Sequence, residues 1–149
     1  MSVWKPSVTV AAVIERDGKF LLVRERIERR LVLNQPAGHL DPGESLSDAC
    51  RREVLEETAH RFEPAGLVGV YRWHYAAKSV TFLRFCFRGR LVGAVDRPLD
   101  KEIVGLEWLS LEELSRRKAE HRSPLVEKCV KDFLAGNDFP LEVLSPEYS

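Results

Sequence analysis

The sequence predicts a domain of the α/β or α+β class, and three observations carry that prediction. Short runs rich in Val, Ile, Phe and Tyr are bounded by Gly, Pro and Asp-Gly punctuation, as strands are. Other segments open on capping residues and show helical spacing of apolar side chains. Read in order, the elements run strand, strand, strand, helix, strand, strand, strand, helix, helix. That order suits a mixed sheet with helices on both faces.

The Val-rich run Ser7 to Ile14 reads as the first strand, and Asp17-Gly18 supplies a hairpin turn into Lys19 to Val23. Arg24 to Arg30 reads as a charged loop, and Leu31 to Leu33 as a short strand. Asn34-Gln35-Pro36-Ala37 then leads into a loop punctuated by Gly38, Pro42 and Gly43. Ser45, with Asp48 three residues on, forms a capping box that opens a helix over Leu46 to Thr58. Gly66 to Tyr75 and Val80 to Leu91 read as two strands around a turn at residues 76–78. Residues 92–101 read as a loop containing Gly93 and Pro98, and Ile103 to Leu109 as a further strand. Ser110 and Glu113 cap a short helix, and Ser123-Pro124 opens a last helix that Gly136 closes. With 149 residues, 44% of them hydrophobic, and no internal repeat, the expectation is one domain over residues 1–149.

Composition narrows the function. The formal net charge is zero, so no basic surplus points to nucleic acid. No apolar run approaches the roughly 18 residues of a membrane span, and no signal-peptide pattern opens the chain. Cys50, Cys86 and Cys129 all fall at core positions, and their odd number argues against a disulfide framework. Buried free thiols in a reducing cytoplasm are the expectation.

The helix over 46–58 is unusual. At about 100° per residue, Leu46, Ala49, Cys50 and Val54 form one apolar stripe, and Glu53 and Glu57 fall inside it. Glu56 lies at its edge, one turn from Arg52. Like charges at this spacing repel, and an unpartnered buried carboxylate costs several kcal/mol. A solvated acidic face balanced by Arg51 and Arg52 does not explain glutamates on the core side. A bound divalent cation does, because oxygen ligands suit Mg²⁺ or Mn²⁺.

Gly38, Glu44, Arg52, Glu53, Val54, Glu56 and Glu57 follow the pattern Gly-x5-Glu-x7-Arg-Glu-apolar-x-Glu-Glu. This stretch resembles the Nudix box. The box usually continues with a Gly that ends the helix, where this chain has Ala59, followed by His60. The resemblance implies a Nudix fold, an α/β/α sandwich around a mixed, curved sheet, over about residues 7–135. Local strings such as Asn34 to His39 and Arg122 to Val126 resemble the NudJ-type phosphatases within that family.

The resemblance implies Mg²⁺-dependent cleavage of a phosphoanhydride, with Glu53, Glu56, Glu57 and the Gly38 carbonyl as metal ligands. Glu56 is either a ligand or the base, and Arg52 pins a neighbouring glutamate. Glu102 is either a second catalytic carboxylate or a solvated strand-edge glutamate. Arg24, Arg26, Arg72 and Arg84 are each either surface charges or phosphate contacts; Arg84 stands out for its apolar flanks. Trp73 and Tyr71 either stack on a heterocycle or fill the core, and Gln35 joins Arg24, Arg84 and Trp73 as a substrate contact. The expected partner is a small phosphorylated molecule: a nucleoside di- or triphosphate, or a thiamine-precursor pyrimidine diphosphate that releases inorganic phosphate. ADP-ribose hydrolysis and a non-catalytic nucleotide-binding module are the alternatives. A monomer or homodimer is expected.

Overall fold

The computed structural model describes residues 2–145; Met1 and residues 146–149 of the expected domain lie outside the described residues. Its strands are β1 (Ser7–Val13), β2 (Glu15–Arg16), β3 (Lys19–Ile27), β4 (Arg30–Asn34), β5 (Ala37–His39), β6 (His60–Tyr75), β7 (Val80–Ala94) and β8 (Ile103–Leu109). The helices are α1 (Leu46–Thr58), α2 (Leu111–Arg116) and α3 (Leu125–Leu134). One sheet runs in the order β5-β1-β7-β6, and it is mixed: β1 lies parallel to β7 and antiparallel to β5. A second, antiparallel sheet is built on β3, which pairs with β2, β4 and β8.

β1 explains why helices cover both faces. A strand with a parallel partner is generally buried on both sides. Here Val10, Ala12 and Ile14 join the core beneath α1, with Ala49, Cys50 and Val54. Ala11 and Val13 point the other way, into the core with Val126, Cys129 and Val130 of α3. Val10, Ala11, Val54, Val126 and Val130 are all fully buried. Each such valine contributes roughly 1.5–3 kcal/mol, so the two faces clamp α1 and α3 onto one strand.

The mixed sheet and its flanking helices follow the sequence expectation, and three segments depart from it. The charged stretch from Arg24 is strand, because β3 pairs with β4 on one side and β8 on the other. Only Glu28 and Arg29 form the turn, both at positive φ (47° and 69°). β6 begins at His60 rather than Gly66, because it pairs with β7 as far as Ala94, and a register shift between Pro64 and Gly66 absorbs the proline. Residues Ala37–His39 are an edge strand on β1 rather than loop.

Helix α1 has the expected limits. The Ser45 side chain accepts from the Asp48 N–H at 3.1 Å. At the other end Ala59 adopts the left-handed conformation (φ 56°, ψ 31°), and its N–H donates to the Leu55 carbonyl at 2.9 Å. The short helix α2 has the full Ser110–Glu113 capping box.

Candidate active site

Arg52 is the hub of the site. Its Nε and Nη2 donate to Glu44 Oε2 and Oε1 at 3.0 and 2.7 Å, a two-bond fork. Its Nη1 donates to Glu53 Oε1 at 2.7 Å and to Glu56 Oε1 at 2.9 Å. Nη2 also reaches the His39 carbonyl at 2.8 Å, which ties β5 to α1. A second tie runs from the Ala37 N–H to Glu57 Oε1 at 2.9 Å. Gly38 therefore lies between two residues that are each bonded to an α1 side chain.

Glu53, Glu56 and Asp100 each present a carboxylate oxygen within 4.8 Å of the others. Asp100 reaches the cluster because its own N–H donates to the Glu56 carbonyl at 2.9 Å. Negative charge outweighs Arg52 here, and burial makes that costly. Burial pushes Glu53 up to about 7 despite its bond to Arg52. Glu57, only 6% exposed, is pushed by burial up to about 9 despite accepting from Ala37. Glu44 moves the other way, because Arg52 holds it below the usual carboxylate range. Closely grouped oxygens with a deficit of positive charge suit a hard divalent cation.

A cavity of about 170 Å³ is lined by Ala37, Gly38 and His39 of β5, and Gly38 packs against the Glu53 carboxylate. Asn34, Trp73, Phe82, Arg84, Arg122 and Ser123 also line it, as does Glu25. The Trp73 ring is stacked with Phe82 at 5.5 Å and with Tyr75 at 5.2 Å between centroids. The cavity thus brings stacked aromatic rings and two arginines together, and Gly38 links it to Glu53.

A NUDIX domain model matches residues 4–129. Phosphatase NudJ of Escherichia coli strain K12 is 38% identical over 142 residues, which cover 95% of this chain and 92% of that protein. The chain belongs to the Nudix family. A solved Nudix hydrolase from Nitrosomonas europaea is 50% identical, with a TM-score of 0.93 over 97% of this chain and 98% of its own. A MutT Nudix hydrolase from Burkholderia pseudomallei shares the fold at 23% identity, with a TM-score of 0.74 over 87% of this chain and 98% of its own. As a Nudix member the chain is a hydrolase acting on phosphoanhydride bonds, and Nudix enzymes act on small phosphorylated substrates with a divalent metal. None of its described helices is long and apolar enough to cross a membrane.

The residues singled out in the sequence fall into two groups. Gly38, Arg52, Glu53, Glu56 and Glu57 of the Nudix box come together, although Glu57 stands outside the trio and anchors β5. Arg84 and Trp73 line the cavity. Gln35 does not: it is 1% exposed, and its amide bridges Arg84 and the Val126 carbonyl. Arg24 lies on β3 opposite Gly105, 3.7 Å from Glu107, in the other sheet. Glu102 is exposed and outside the trio; its backbone carbonyl accepts from the Arg26 N–H. Tyr71 donates its hydroxyl to Asp132. Neither Asp100 nor Asn34 stood out in the sequence as a site residue, since each acquires its neighbours only through the fold.

Proposed function

We propose that this Nudix hydrolase releases inorganic phosphate from nucleoside di- and triphosphates, or from a pyrimidine diphosphate of similar shape. The supporting observation is the cavity, where Arg84 and the Trp73–Phe82 pair stand beside the wall that Gly38 shares with the carboxylates. A phosphate tail with an aromatic base offers complementary groups to both walls. The 38% identity to Phosphatase NudJ supports the same product.

Glu53, Glu56 and Asp100 would hold the cation, with Mg²⁺ the assignment and Mn²⁺ its substitute. When bound, the cation neutralises phosphate charge and lowers the pKa of water. Arg52 fixes the rotamers of Glu53 and Glu56, so their oxygens are already placed before substrate arrives. Glu56, the less buried of the two, takes the proton from the attacking water. The new P–O bond forms at the terminal phosphorus as its bond to the bridging oxygen breaks, and that oxygen leaves with the nucleoside monophosphate from a diphosphate or the nucleoside diphosphate from a triphosphate. Three buried free thiols suit a reducing compartment, and the cytoplasm is our assignment.

The test is a panel of nucleoside di- and triphosphates with Mg²⁺ in water labelled with heavy oxygen. Label in inorganic phosphate supports the proposal. Label only in the monophosphate moves the attack to the other phosphorus, and cleavage of ADP-ribose alone replaces the substrate class. Metal-dependent binding of every nucleotide with no product would mean a binding module.

A further inference from the structure

Arg84 is 6% exposed on β7, a strand with β1 on one side and β6 on the other. Its register partners are Thr9 and Tyr71. A guanidinium in the middle of a sheet is costly to bury unless it is paired. Most buried arginines meet a carboxylate, and this one meets amides. Nη1 donates to Gln35 Oε1 and Nη2 to Asn34 Oδ1, both at 2.9 Å. The remaining contact is Cys129 Sγ at 3.8 Å.

The amides are themselves held. Gln35 Nε2 donates to the Val126 carbonyl at 2.7 Å, which fixes its oxygen toward Arg84. The acids nearby serve other cations. Glu25, on the same cavity, accepts from Arg122 at 2.9 Å, and Asp132 accepts from Lys128 and Tyr71. Arg84 is thus oriented by neutral acceptors, has no carboxylate partner among the described residues, and lines the cavity. Ser123 and Arg122 line the same space and can share a phosphate group.

We propose that Arg84 anchors a phosphate group of the substrate, and that Asn34 and Gln35 are positioning residues that orient the guanidinium without neutralising it. This rests on the proposed substrate class and deepens it. A carboxylate at 34 would hold Arg84 equally well and neutralise it, whereas one at 35 would also lose the bond that Gln35 Nε2 donates to the Val126 carbonyl. The amide side chains at 34 and 35 therefore set specificity for an anion.

Asn34→Asp is the direct test, because it changes the charge and keeps the shape. The Asn34 oxygen that accepts from Arg84 is retained, so the fold and its melting temperature should be kept. KM for a nucleoside diphosphate should rise roughly tenfold or more, the size of one charge-assisted hydrogen bond, while kcat stays within about threefold. Asn34→Ser removes the amide without adding charge, so the guanidinium is less well oriented but not neutralised, and its KM should rise about three- to fivefold, short of that tenfold loss. A readout free of turnover is the melting temperature in EDTA with inorganic pyrophosphate. Pyrophosphate should raise it most for wild type, less for Asn34→Ser and not at all for Asn34→Asp. No shift for wild type, a retained shift in Asn34→Asp, or equal losses in both variants would overturn the proposal. If nucleotides prove not to be substrates, the pyrophosphate shift still decides whether Arg84 holds an anion.

Discussion

A methyl group placed on Gly38 would lie 2.1 Å from the carboxyl carbon of Glu53. The two residues are on different elements, β5 and α1, and nothing larger than hydrogen fits between them. Gly38→Ala would leave the backbone of β5 in place, since the obstructed atoms are the far end of a flexible side chain. Glu53 would move instead. We expect the melting temperature to fall by only a few degrees, about what 1 kcal/mol gives at this size. Turnover should fall roughly a hundredfold, as misplacement of a reacting group by about 1 Å does. Wild-type kcat in Gly38→Ala would show that Glu53 need not stay where it is.

Arg52→Lys keeps the charge and loses the fork. A lysine ammonium cannot serve Glu44, Glu53, Glu56 and the His39 carbonyl at once. We expect kcat to fall at least about tenfold, the effect of one charge-assisted bond lost at the site, and the Mg²⁺ concentration for half activity to rise. Unchanged Mg²⁺ dependence would mean that Arg52 does not organise the trio.

Asp100 and Glu102 make a discriminating pair. Asp100 stands with Glu53 and Glu56, whereas Glu102 is exposed. Asp100→Asn should cost about a hundredfold in kcat/KM with Mg²⁺, in line with loss of a group holding the metal or its surroundings. Glu102→Gln should stay within about twofold, as for a surface change. The reverse ranking, read from steady-state kinetics, would return the role to Glu102.

The pH dependence of the metal-free protein follows from Glu53 and Glu57. Burial raises both in the folded state, to about 7 and about 9, above their ordinary value of 4.5. The folded state then binds protons more tightly than the unfolded chain does, so stability falls as pH rises. The decline begins above about pH 4.5 and continues until the folded-state values are passed. In EDTA the melting temperature should drop between pH 5 and pH 9, and Glu57→Gln should flatten the upper part of the curve. Mg²⁺ should restore stability most at the alkaline end, and activity lost in EDTA should return with it. A melting temperature that rises over this range, or full turnover in EDTA, contradicts the account.

Ala59 holds a left-handed conformation, which a side chain disfavours by roughly 1 kcal/mol. Ala59→Gly should therefore stabilise the protein by up to about 1 kcal/mol in chemical denaturation, without changing kcat. A loss of stability would mean that the methyl group packs better than the strain costs.

Much of the site was legible in the sequence because it is local. Helix α1, its Ser45 cap and the inward glutamates lie within one stretch whose geometry is set by 3.6 residues per turn. Fixed spacing from Gly38 to Glu57 carried the rest of the Nudix box. Asp100 was not legible, since it reaches Glu53 only through a backbone bond to the end of α1. Glu102, two residues on, had the right composition and faces outward. Gln35 had the right chemistry and the wrong direction, because the Val126 carbonyl turns its amide inward. The charged run from Arg24 concealed a strand, because pairing with both β4 and β8 outweighs the polarity of its side chains.

The parallel pairing of β1 with β7 runs from Ser7 with Phe82 to Val13 with Arg88. That pairing closes a long loop, and it must form before Arg84 can meet Asn34 and Gln35. By contrast β5, β1 and α1 are close in the chain. During synthesis the Nudix-box helix can dock on β1 early, while Asp100 and the Arg84 anchor arrive only after β7 has emerged. Closure of distant segments is slow because its entropy is lost before its contacts form. The nascent chain therefore acquires its carboxylates before its full metal cluster and its cavity. In refolding, structure in α1 should precede the appearance of pyrophosphate binding by a resolvable kinetic phase.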